Sequence, residues 1–383
     1  MENQSIRVAL AGAGSCASSF VQAVVLARQR PGLPLTGVTH ERIGGYALAD
    51  IEFVQVFEAD ADKVGRDLAD ALAAPVTVAV RHVVVPPTGV VVEAGPALDG
   101  VAGRLADVVR VHPDCAHVTT DDLVEALRRS GAQVLVCFLP TGSVMAVQAY
   151  ARACAEAGVA FVNATPEAVA NDPGLARLFA ERGVPLLGDD LRSHLGATTL
   201  HTALLELLLS RNLRIKDTYQ LNVGGNTDFL NLSDPVRSAS KQKSKRRALA
   251  SAGIDASEVS AGPNGYVRYL GDRKVCFLRI EADSLLGAPV AMEIRLEVED
   301  SPNAAAVVAN AVRAARAAAD QGLHGVIDPV CGFLFKSPRT GMPESEGLQS
   351  FREFAAKAQP LSGEPAPSAA VDEPAGLSTG NEN

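Results

Sequence analysis

Five basic residues fall within the stretch SKQKSKRRAL, residues 240–249, which contains no acidic residue. Lys241 and Lys245 are four residues apart and would share one face of a helix. Lysines gathered in an enclosed site can polarise a carbonyl oxygen and can also take up a proton, because crowding and burial lower the pKa of an amine. A solvated helix face and a nucleic-acid patch are the alternatives, and this stretch alone leaves all three open.

Two other stretches could recognise a phosphorylated substrate. In LNVGGNTD, Asn222, Asn226 and Asp228 follow an apolar run and offer hydrogen-bonding groups at a strand end. In GDDLRSHLGATT, residues 188–199, small polar side chains stand where a helix begins, and the N–H groups of a helix start can bind phosphate. Helix capping alone explains the second stretch equally well.

A glycine-rich turn near the N-terminus is typical of dinucleotide binding. Gly12, Gly14 and Ala17 form the pattern G-x-G-x-x-A, after the apolar run 6–10 and before a segment with helical periodicity. The first glycine permits a tight turn, the second lets the backbone approach a pyrophosphate, and the small third residue keeps helix and strand close. A turn needed only for packing is the alternative, but the strand–turn–helix setting favours a dinucleotide.

An acidic residue usually follows the second strand of such a fold and binds the ribose hydroxyls. Here that strand is predicted over residues 53–57, because a long loop rich in Gly and Pro delays it. Glu58, or failing it Asp60, is therefore the candidate for the ribose 2′-hydroxyl. An acid at this position favours NAD over NADP.

These groups need a sheet that brings strand ends together. Apolar runs alternate with helical stretches, which predicts an α/β fold with a parallel sheet and ligands at the carboxyl ends of its strands. The predicted strands cover residues 6–10, 53–57, 76–85, 134–142, 159–166 and 184–190, and a helix is predicted over residues 60–72.

After residue 215 the pattern changes to a period of two. Met292 and Ile294 fall on one face and Glu293 and Arg295 on the other, which is typical of a half-buried antiparallel strand. GD at 271–272 and LLGAP at 285–289 predict hairpin turns, and residues 301–322 predict a helix capped by Ser301. We therefore expect an antiparallel second sheet whose apolar face needs a cover, which a second subunit could supply.

Composition restricts the class of protein. A chain of 383 residues exceeds one small core, and a net charge of -9 argues against a protein that coats DNA. The six cysteines show no C-x-x-C spacing, which argues against a zinc site or a disulfide framework. The chain begins without a signal-like segment and has no apolar run of the ~18 residues that a membrane span needs. We expect a cytoplasmic protein with neither nucleic acid nor membrane as a partner.

In their order along the chain, these stretches resemble the myo-inositol-1-phosphate synthase family in its short bacterial form. The resemblance covers residues 6–338 and depends on GAGSCASS, GDDLRSHLGATTLH, LNVGGNTDFLN, SKQKSK, GDRK, EDSPN and FLFKSP. It implies a Rossmann-type doubly wound parallel sheet with an inserted α+β catalytic and oligomerisation domain built on an antiparallel sheet. Residues 1–190 and 301–357 would form the NAD-binding domain, residues 191–300 the inserted domain, and residues 358–383 a disordered tail.

The resemblance also implies the residues of the site. The catalytic residues would be Lys241, Lys245, Lys274, Lys336, Asp190 and Asp300. The substrate-binding residues would be Ser193, Thr198, Asn222, Asn226 and Asp228. The NAD-binding residues would be Gly12, Gly14, Ser15, Cys16, Ala17, Glu58, Thr141, Asn163 and Asp189. No residue is assigned to a metal, and a monovalent or divalent cation is left open as a second cofactor.

The implied reaction is the NAD-dependent cyclisation of D-glucose 6-phosphate to 1D-myo-inositol 3-phosphate. It would proceed by oxidation at C5, enolisation at C6, aldol closure onto C1 and re-reduction at C5, in a homotetramer. Lysine suits these steps, because arginine does not give up its proton. The alternatives are a related NAD-dependent cyclase or epimerase of another sugar phosphate, a simple NAD-linked dehydrogenase, and a dinucleotide-binding regulator with a basic arm.

Three residues depart from the pattern usual in bacterial members of the family. Ser15 stands where Asn is usual, Glu58 where Asp is usual, and Arg192 where Lys is usual. None of these changes removes a catalytic lysine. They could adjust affinity, or they could mark a relative that acts on another sugar phosphate.

Overall fold

The computed structural model describes residues 5–238 and 260–358. Lys241, Lys245 and all but the first residue of the predicted tail lie outside the described residues. The strands are β1 (Ile6–Ala11), β2 (Ile51–Glu58), β3 (Val92–Ala94), β4 (Val134–Cys137), β5 (Ala160–Asn163), β6 (Pro185–Leu187), β7 (Arg214–Gly224), β8 (Ser260–Tyr266), β9 (Arg273–Asp283), β10 (Pro289–Glu299) and β11 (Gly325–Val326).

Helices connect these strands. They are α1 (Ser15–Gln29), α2 (Leu68–Ala71), α3 (Thr120–Ser130), α4 (Val144–Ala157), α5 (Pro173–Glu181), α6 (Ala197–Ser210), α7 (Thr227–Leu232), α8 (Asp300–Asp320), α9 (Asp328–Leu334) and α10 (Glu344–Lys357). Among the described helices, none has the length and apolar composition needed to cross a membrane.

The larger sheet has seven parallel strands in the order β3–β2–β1–β4–β5–β6–β11. From β3 to β6 this is the strand order of doubly wound dinucleotide-binding folds, so the predicted α/β class is confirmed. The order reverses between β1 and β4. Connections on either side of this point diverge to opposite faces of the sheet, which leaves a crevice at the carboxyl ends of the two strands.

Both faces of the parallel sheet are covered, which explains its continuous apolar strands. In β1, Val8 and Leu10 pack in a core with α1 and α8, whereas Ala9 and Ala11 pack in a second core with α3, α4 and α5. The side of α8 that meets the sheet is rich in alanine, and these small side chains let the helix lie close to α1.

The smaller sheet has four strands in the order β10–β9–β7–β8. β9 runs antiparallel to β7 and β10, but β8 runs parallel to β7, so the sheet is mixed where we expected a wholly antiparallel one. The predicted hairpin at 285–289 joins neighbouring strands. The one at 271–272 is wrong, because β8 and β9 flank β7 on opposite sides. One face packs under α6, where Leu205 meets Leu278 and Ile280.

The strand predicted over residues 76–85 is absent. Its backbone amides bond to side chains of α1 instead: Val78 N donates to Ser15 Oγ, and Val83 N donates to Gln22 Oε1. The outer position in the sheet belongs to β3. A β-branched composition therefore misled the prediction, since strand propensity matters only where a partner strand is within reach.

Two helix starts also differ from the prediction. The helix expected over residues 60–72 is replaced by the shorter α2. It begins only after Asp67, whose side chain caps it by accepting from Ala69 N. The long helix α8 begins at Asp300, so Ser301 lies inside it and does not cap it. The Ser301 hydroxyl donates to Asp272.

A substitution at Gly44 tests how closely the long loop after α1 packs against α8. Its φ is +63°, and a Cβ at this position would overlap the Cβ of Ala317. Gly44→Ala should lower the free energy of unfolding by about 2–3 kcal/mol, because it adds a steric overlap to the backbone penalty. Gly37→Ala is the matched control: its φ is +86°, and a Cβ there would meet no atom within 4 Å.

The control should cost only the backbone penalty of about 1 kcal/mol. Urea unfolding of both variants checks the prediction. Equal losses would show that the loop does not pack closely on α8.

Candidate active site at the strand-order reversal

A cleft of about 1880 Å³, counting its open mouth, lies at the crevice and is shared by the two sheets. Most of the predicted site residues within the described part of the chain line it. They are Gly12, Gly14, Ser15, Cys16, Glu58, Thr141, Asp190, Ser193, Thr198, Asn222, Asn226, Asp228, Lys274, Asp300 and Lys336. Residues from distant stretches thus meet around one space.

The glycine turn has the geometry that a pyrophosphate needs. Gly12 has a φ of +96°, and a Cβ there would lie 3.2 Å from the carbonyl oxygen of Phe138. Gly14 precedes α1 and provides no side-chain cap, so N–H groups of the first turn can bind an anion. Ala17 is buried in the core, where it keeps α1 close to the sheet. These residues fit a dinucleotide.

Glu58 lies at the carboxyl end of β2, beside the glycine turn. Its Oε2 accepts from Ala13 N (2.8 Å), and its Oε1 accepts from Ala59 N (2.7 Å). Burial alone would raise the pKa of Glu58, but Lys63 and the backbone N–H groups outweigh it and hold the pKa below its ordinary value. The group is therefore a carboxylate at neutral pH, as a ribose acceptor must be.

Asn163 and Asp189 do not line the cleft. Asn163 Nδ2 donates to Asp189 Oδ1 (2.8 Å), and the same carboxylate accepts from the backbone N–H groups of Val169, Ala170 and Asn171. Both side chains are buried beneath the loop after β5. In this position they support that loop and would act on a cofactor only through it.

Lys336 and Asp190 form a buried ion pair in the cleft. Lys336 Nζ donates to Asp190 Oδ1 at 3.0 Å, and the two side chains are 11% and 3% exposed. The backbones also meet, since Lys336 N donates to Asp190 O (2.7 Å). A segment from the C-terminal part of the chain is thus held beside the end of β6.

Lys274 and Asp300 form a second pair. Lys274 Nζ donates to Asp300 Oδ1 at 3.0 Å, and Asp300 Oδ2 accepts from Asn226 Nδ2 at 3.2 Å. Lys274 Nζ also lies 5.8 Å from the centre of the Phe229 ring, within range of a cation–π contact. β9 supplies the lysine and the start of α8 supplies the acid, so this pair joins the two sheets.

Thr141 and Asp228 bring the cofactor and substrate assignments together. Thr141 Oγ1 donates to Asp228 Oδ1 at 3.4 Å, and the Thr141 carbonyl accepts from Asn231 Nδ2 (2.8 Å) and Arg237 Nη1 (3.3 Å). The loop after β4 is therefore tied to α7 and to the residues that follow it.

The start of α6 could bind a phosphate. Its N-cap, Gly196, has no side chain with which to bond the first-turn N–H groups. Ser193, Thr198 and Thr199 line the cleft around this helix end and add hydroxyl donors. A helix start of this kind favours an anion through its unpaired N–H groups and its dipole.

Gln220 on β7 lines the cleft beside Asn222 and is not among the residues predicted from the sequence. Its Nε2 donates to Asn222 Oδ1 at 3.4 Å. Behind this pair, His201 is fully buried, and its Nε2 lies 2.6 Å from Thr218 Oγ1. Burial lowers the pKa of His201 to about 4, so the imidazole is neutral at pH 7. The alternation of polar and apolar residues over 218–223 was the signal that could have identified Gln220.

Arg192, one of the three departures, does not line the cleft. Its guanidinium forms an ion pair with Glu344 at the start of α10, and its Nη2 donates to the carbonyl of Phe335 at 3.4 Å. Arg192 therefore supports the segment that carries Lys336 and ties α10 to it.

Asp272 is a second group that was not among the predicted site residues. It is 3% exposed and accepts from Ser301 N (3.1 Å) and Ser301 Oγ (2.6 Å), while its carbonyl accepts from Asp300 N. Burial, together with the nearby Asp300 charge, raises the pKa of Asp272 to about 6. Its position just before Lys274 places it directly behind the Lys274–Asp300 pair.

Three comparisons with known proteins bear on this site. The family model for myo-inositol-1-phosphate synthase matches residues 196–301. An inositol-3-phosphate synthase of Corynebacterium glutamicum is 41% identical over 363 residues, which are 92% of this chain and 99% of that protein. The match therefore extends well beyond the segment that the family model covers.

Solved structures agree with the sequence match. The crystal structure of Ari2 has a TM-score of 0.75 and 38% identity and covers 92% of this chain and 99% of its own. A myo-inositol-1-phosphate synthase-related protein from Thermotoga maritima has a TM-score of 0.79 and 26% identity, covering 92% of this chain and 98% of its own. Both chains share the architecture almost from end to end.

Asp272→Asn should change how stability depends on pH. The folded-state pKa of Asp272, about 6, lies above the ordinary value of about 4, so the folded protein binds this proton more tightly and loses stability as pH rises between these values. The variant lacks this titration. Its free energy of unfolding relative to the unmodified chain should rise by roughly 1–3 kcal/mol from pH 4 to pH 7.

Urea unfolding at the two pH values measures this difference. Asp122→Asn is the control, because hydrogen bonds from Thr119 lower the pKa of Asp122 and its titration falls below the measured range. The stability of that variant relative to the unmodified chain should hardly change between pH 4 and pH 7. A pH-independent difference for Asp272→Asn would contradict the prediction.

Proposed function

The chain belongs to the myo-inositol-1-phosphate synthase family, and on that premise we propose that it converts D-glucose 6-phosphate to 1D-myo-inositol 3-phosphate. The reaction is an intramolecular lyase reaction in which NAD is recycled. The observation that carries the proposal is the convergence of two paired lysines, Lys274 and Lys336, on the cleft that the glycine turn also lines.

We assign the dinucleotide to the glycine turn and the acid beside it. Gly12, Gly14 and the start of α1 would hold the pyrophosphate, and Glu58 would accept from the ribose. Ser15, Cys16 and Thr141 line the same space. NAD, when bound, supplies a hydride acceptor for C5 of the sugar and the hydride that C5 later regains.

The lysines stabilise negative charge on the sugar. Lys336 would polarise the C5 oxygen, and Asp190 would hold its ammonium in place at 3.0 Å. The ketone so polarised makes the C6 hydrogens acidic. Positioned cations then stabilise the enolate, which is usually the largest contribution to catalysis of this type.

Lys274 would act at the other end of the sugar, near the C1 oxygen or the phosphate, with Asp300 as its partner. Lys245 would share this task, and Lys241 would be the base at the C5 hydroxyl. Both of these last assignments rest on the family resemblance, because the two lysines lie outside the described residues.

The substrate phosphate and hydroxyls need polar partners of their own. The start of α6, with Ser193 and Thr198, would bind the phosphate, and Asn222, Asn226 and Asp228 would bind sugar hydroxyls. The described residues contain no group of three or more His, Cys, Asp or Glu side chains placed to hold a metal ion.

We propose a homotetramer by the same resemblance. The apolar face of the mixed sheet supports self-association, because it is incompletely covered at the outer strand. β10 is the outer strand, and the inward-facing Val290, Met292, Ile294 and Leu296 remain only partly buried in a single chain. A second copy could complete this apolar face.

Product analysis tests the proposed reaction. Purified protein given glucose 6-phosphate and a small amount of NAD should form inositol phosphate in excess over the NAD supplied, without accumulating NADH. Phosphorus and proton NMR identify the product. Steady release of NADH would instead indicate a dehydrogenase, and turnover of a different sugar phosphate alone would indicate a related cyclase or epimerase.

Lys336→Met tests the cation at C5. The turnover number should fall by roughly 10²–10⁴-fold, because the polarising charge is lost. Lys357→Met, which removes an exposed lysine from the end of α10, is the matched control and should keep full turnover. Unchanged turnover of Lys336→Met, with its melting temperature near that of the control, would refute the role given to Lys336.

A further inference from the structure

We propose that Lys63 is a specificity-determining residue of the cleft: paired with Glu58, it fixes the glycine turn and makes the ribose subsite select NAD over NADP. This inference rests on the proposed use of NAD. Lys63 follows the acids at the end of β2, and its residue type alone does not indicate this role.

Lys63 is enclosed in an unusual way for a lysine. Its side chain is 4% exposed, and the residue lines the same cleft as the glycine turn. Lysines are almost never fully buried unless they are paired, because a desolvated ammonium is costly. Lys63 has two partners: Nζ donates to the carbonyl of Ala13 at 2.9 Å and lies 3.7 Å from Glu58 Oε2.

The two side chains together hold one residue of the turn. Glu58 Oε2 accepts from Ala13 N, and Lys63 Nζ donates to Ala13 O. Ala13 stands between Gly12, which forms the tight turn, and Gly14, whose backbone would approach the pyrophosphate. The ion pair therefore fixes the N–H and the C=O of the residue whose neighbours must be placed most accurately.

The same geometry decides which cofactor fits. A cation near the end of the second strand ordinarily accommodates the 2′-phosphate of NADP, and an acid there binds the 2′-hydroxyl of NAD. This chain carries both. The ammonium of Lys63 is directed to Ala13 O and Glu58, whereas Glu58 faces the cleft with a side chain that is 15% exposed. A 2′-phosphate would therefore meet the carboxylate, and charge repulsion would exclude it.

Lys63 also keeps Glu58 charged. Burial alone would raise the pKa of Glu58, and the charge of Lys63 is the largest factor that lowers it. Without this cation, the carboxylate would take up a proton more readily and would repel a phosphate less. The preference for NAD thus depends on both members of the pair.

Direct binding separates this proposal from a purely structural ion pair. Isothermal titration calorimetry with NAD⁺ and with NADP⁺ gives the ratio of the two dissociation constants without any turnover. Glu58→Gln removes the repelling charge and leaves Lys63 unneutralised, so the ratio should shift at least about tenfold toward NADP⁺. Lys63→Met should weaken NAD⁺ binding about tenfold or more and reduce the discrimination, with an affinity that now falls toward acidic pH.

The neighbouring pair Asp62–Arg110 provides a matched control. It lies in the same region, its atoms are 3.1 Å apart, and its side chains are 59% and 77% exposed. Asp62→Asn and Arg110→Met should change neither dissociation constant by more than about twofold. The double variant Glu58→Gln/Lys63→Met should lose less affinity than the sum of the single changes, because the pair acts as a unit.

An unchanged NAD⁺ to NADP⁺ ratio in both single variants would overturn the inference. If Lys63→Met does not fold, Lys63→Arg, which keeps the charge and should keep the preference, and Glu58→Gln still decide the question. An unmodified chain that binds neither dinucleotide would contradict the proposed function itself. Strong NAD⁺ binding with indifferent variants would contradict only the role of Lys63.

Discussion

The cleft depends on one physical constraint: an ammonium group removed from water must be paired with a carboxylate. Three lysines of the described chain meet this constraint in the same space. The pairs are Lys336 with Asp190, Lys274 with Asp300, and Lys63 with Glu58. In the first two pairs the lysine and the acid belong to separate segments, so pairing their charges also fixes how those segments meet. In the third pair the two residues are close in sequence, and together they hold the glycine turn.

The strand-order reversal gives these pairs their place. Loops after β1 and β4 diverge, and the space between them receives the end of β6, the start of α6 and the tip of the mixed sheet. α8 connects the two halves directly. Its first residue, Asp300, holds Lys274, while its body packs on α1 behind the glycine turn. A change in the packing of α8 would therefore reach both the cofactor side and the substrate side.

The three departures from the usual bacterial pattern act at different places. Glu58 is in the cleft and also holds the turn through Ala13. Ser15 lines the cleft, but its hydroxyl accepts from Val78 in the neighbouring loop. Arg192 is directed away from the cleft, toward Glu344 and Phe335. Glu58 and Ser15 thus line the cleft and also hold neighbouring backbone in place, whereas Arg192 only supports the segment that carries Lys336.

The sequence by itself determined the parallel α/β class, the glycine turn with Glu58, and the polar stretches 190–198 and 222–228. These follow from local patterns: the continuous apolar strands, the spacing of Gly12 and Gly14, and short polar groups at strand ends. Lys274, Lys336 and Asp300 were assigned through the family resemblance. Local patterns failed where the outcome depended on distant partners. Residues 76–85 have strand composition but bond to α1, and a parallel β8 made the second sheet mixed.

Only the tertiary structure placed Lys63 and Gln220 in the lining of the cleft and Asp272 behind it, and only the tertiary structure put Asn163 and Asp189 outside the cleft. Their residue types carry no signal of these roles, because a lysine in a turn is usually solvated and an aspartate before a strand usually caps or turns. Burial and a hydrogen-bond or ion-pair partner give each of these side chains its direction. For Asp272, as for Arg192, the partner comes from a segment far away in the chain, so its position is decided only when these segments are packed together.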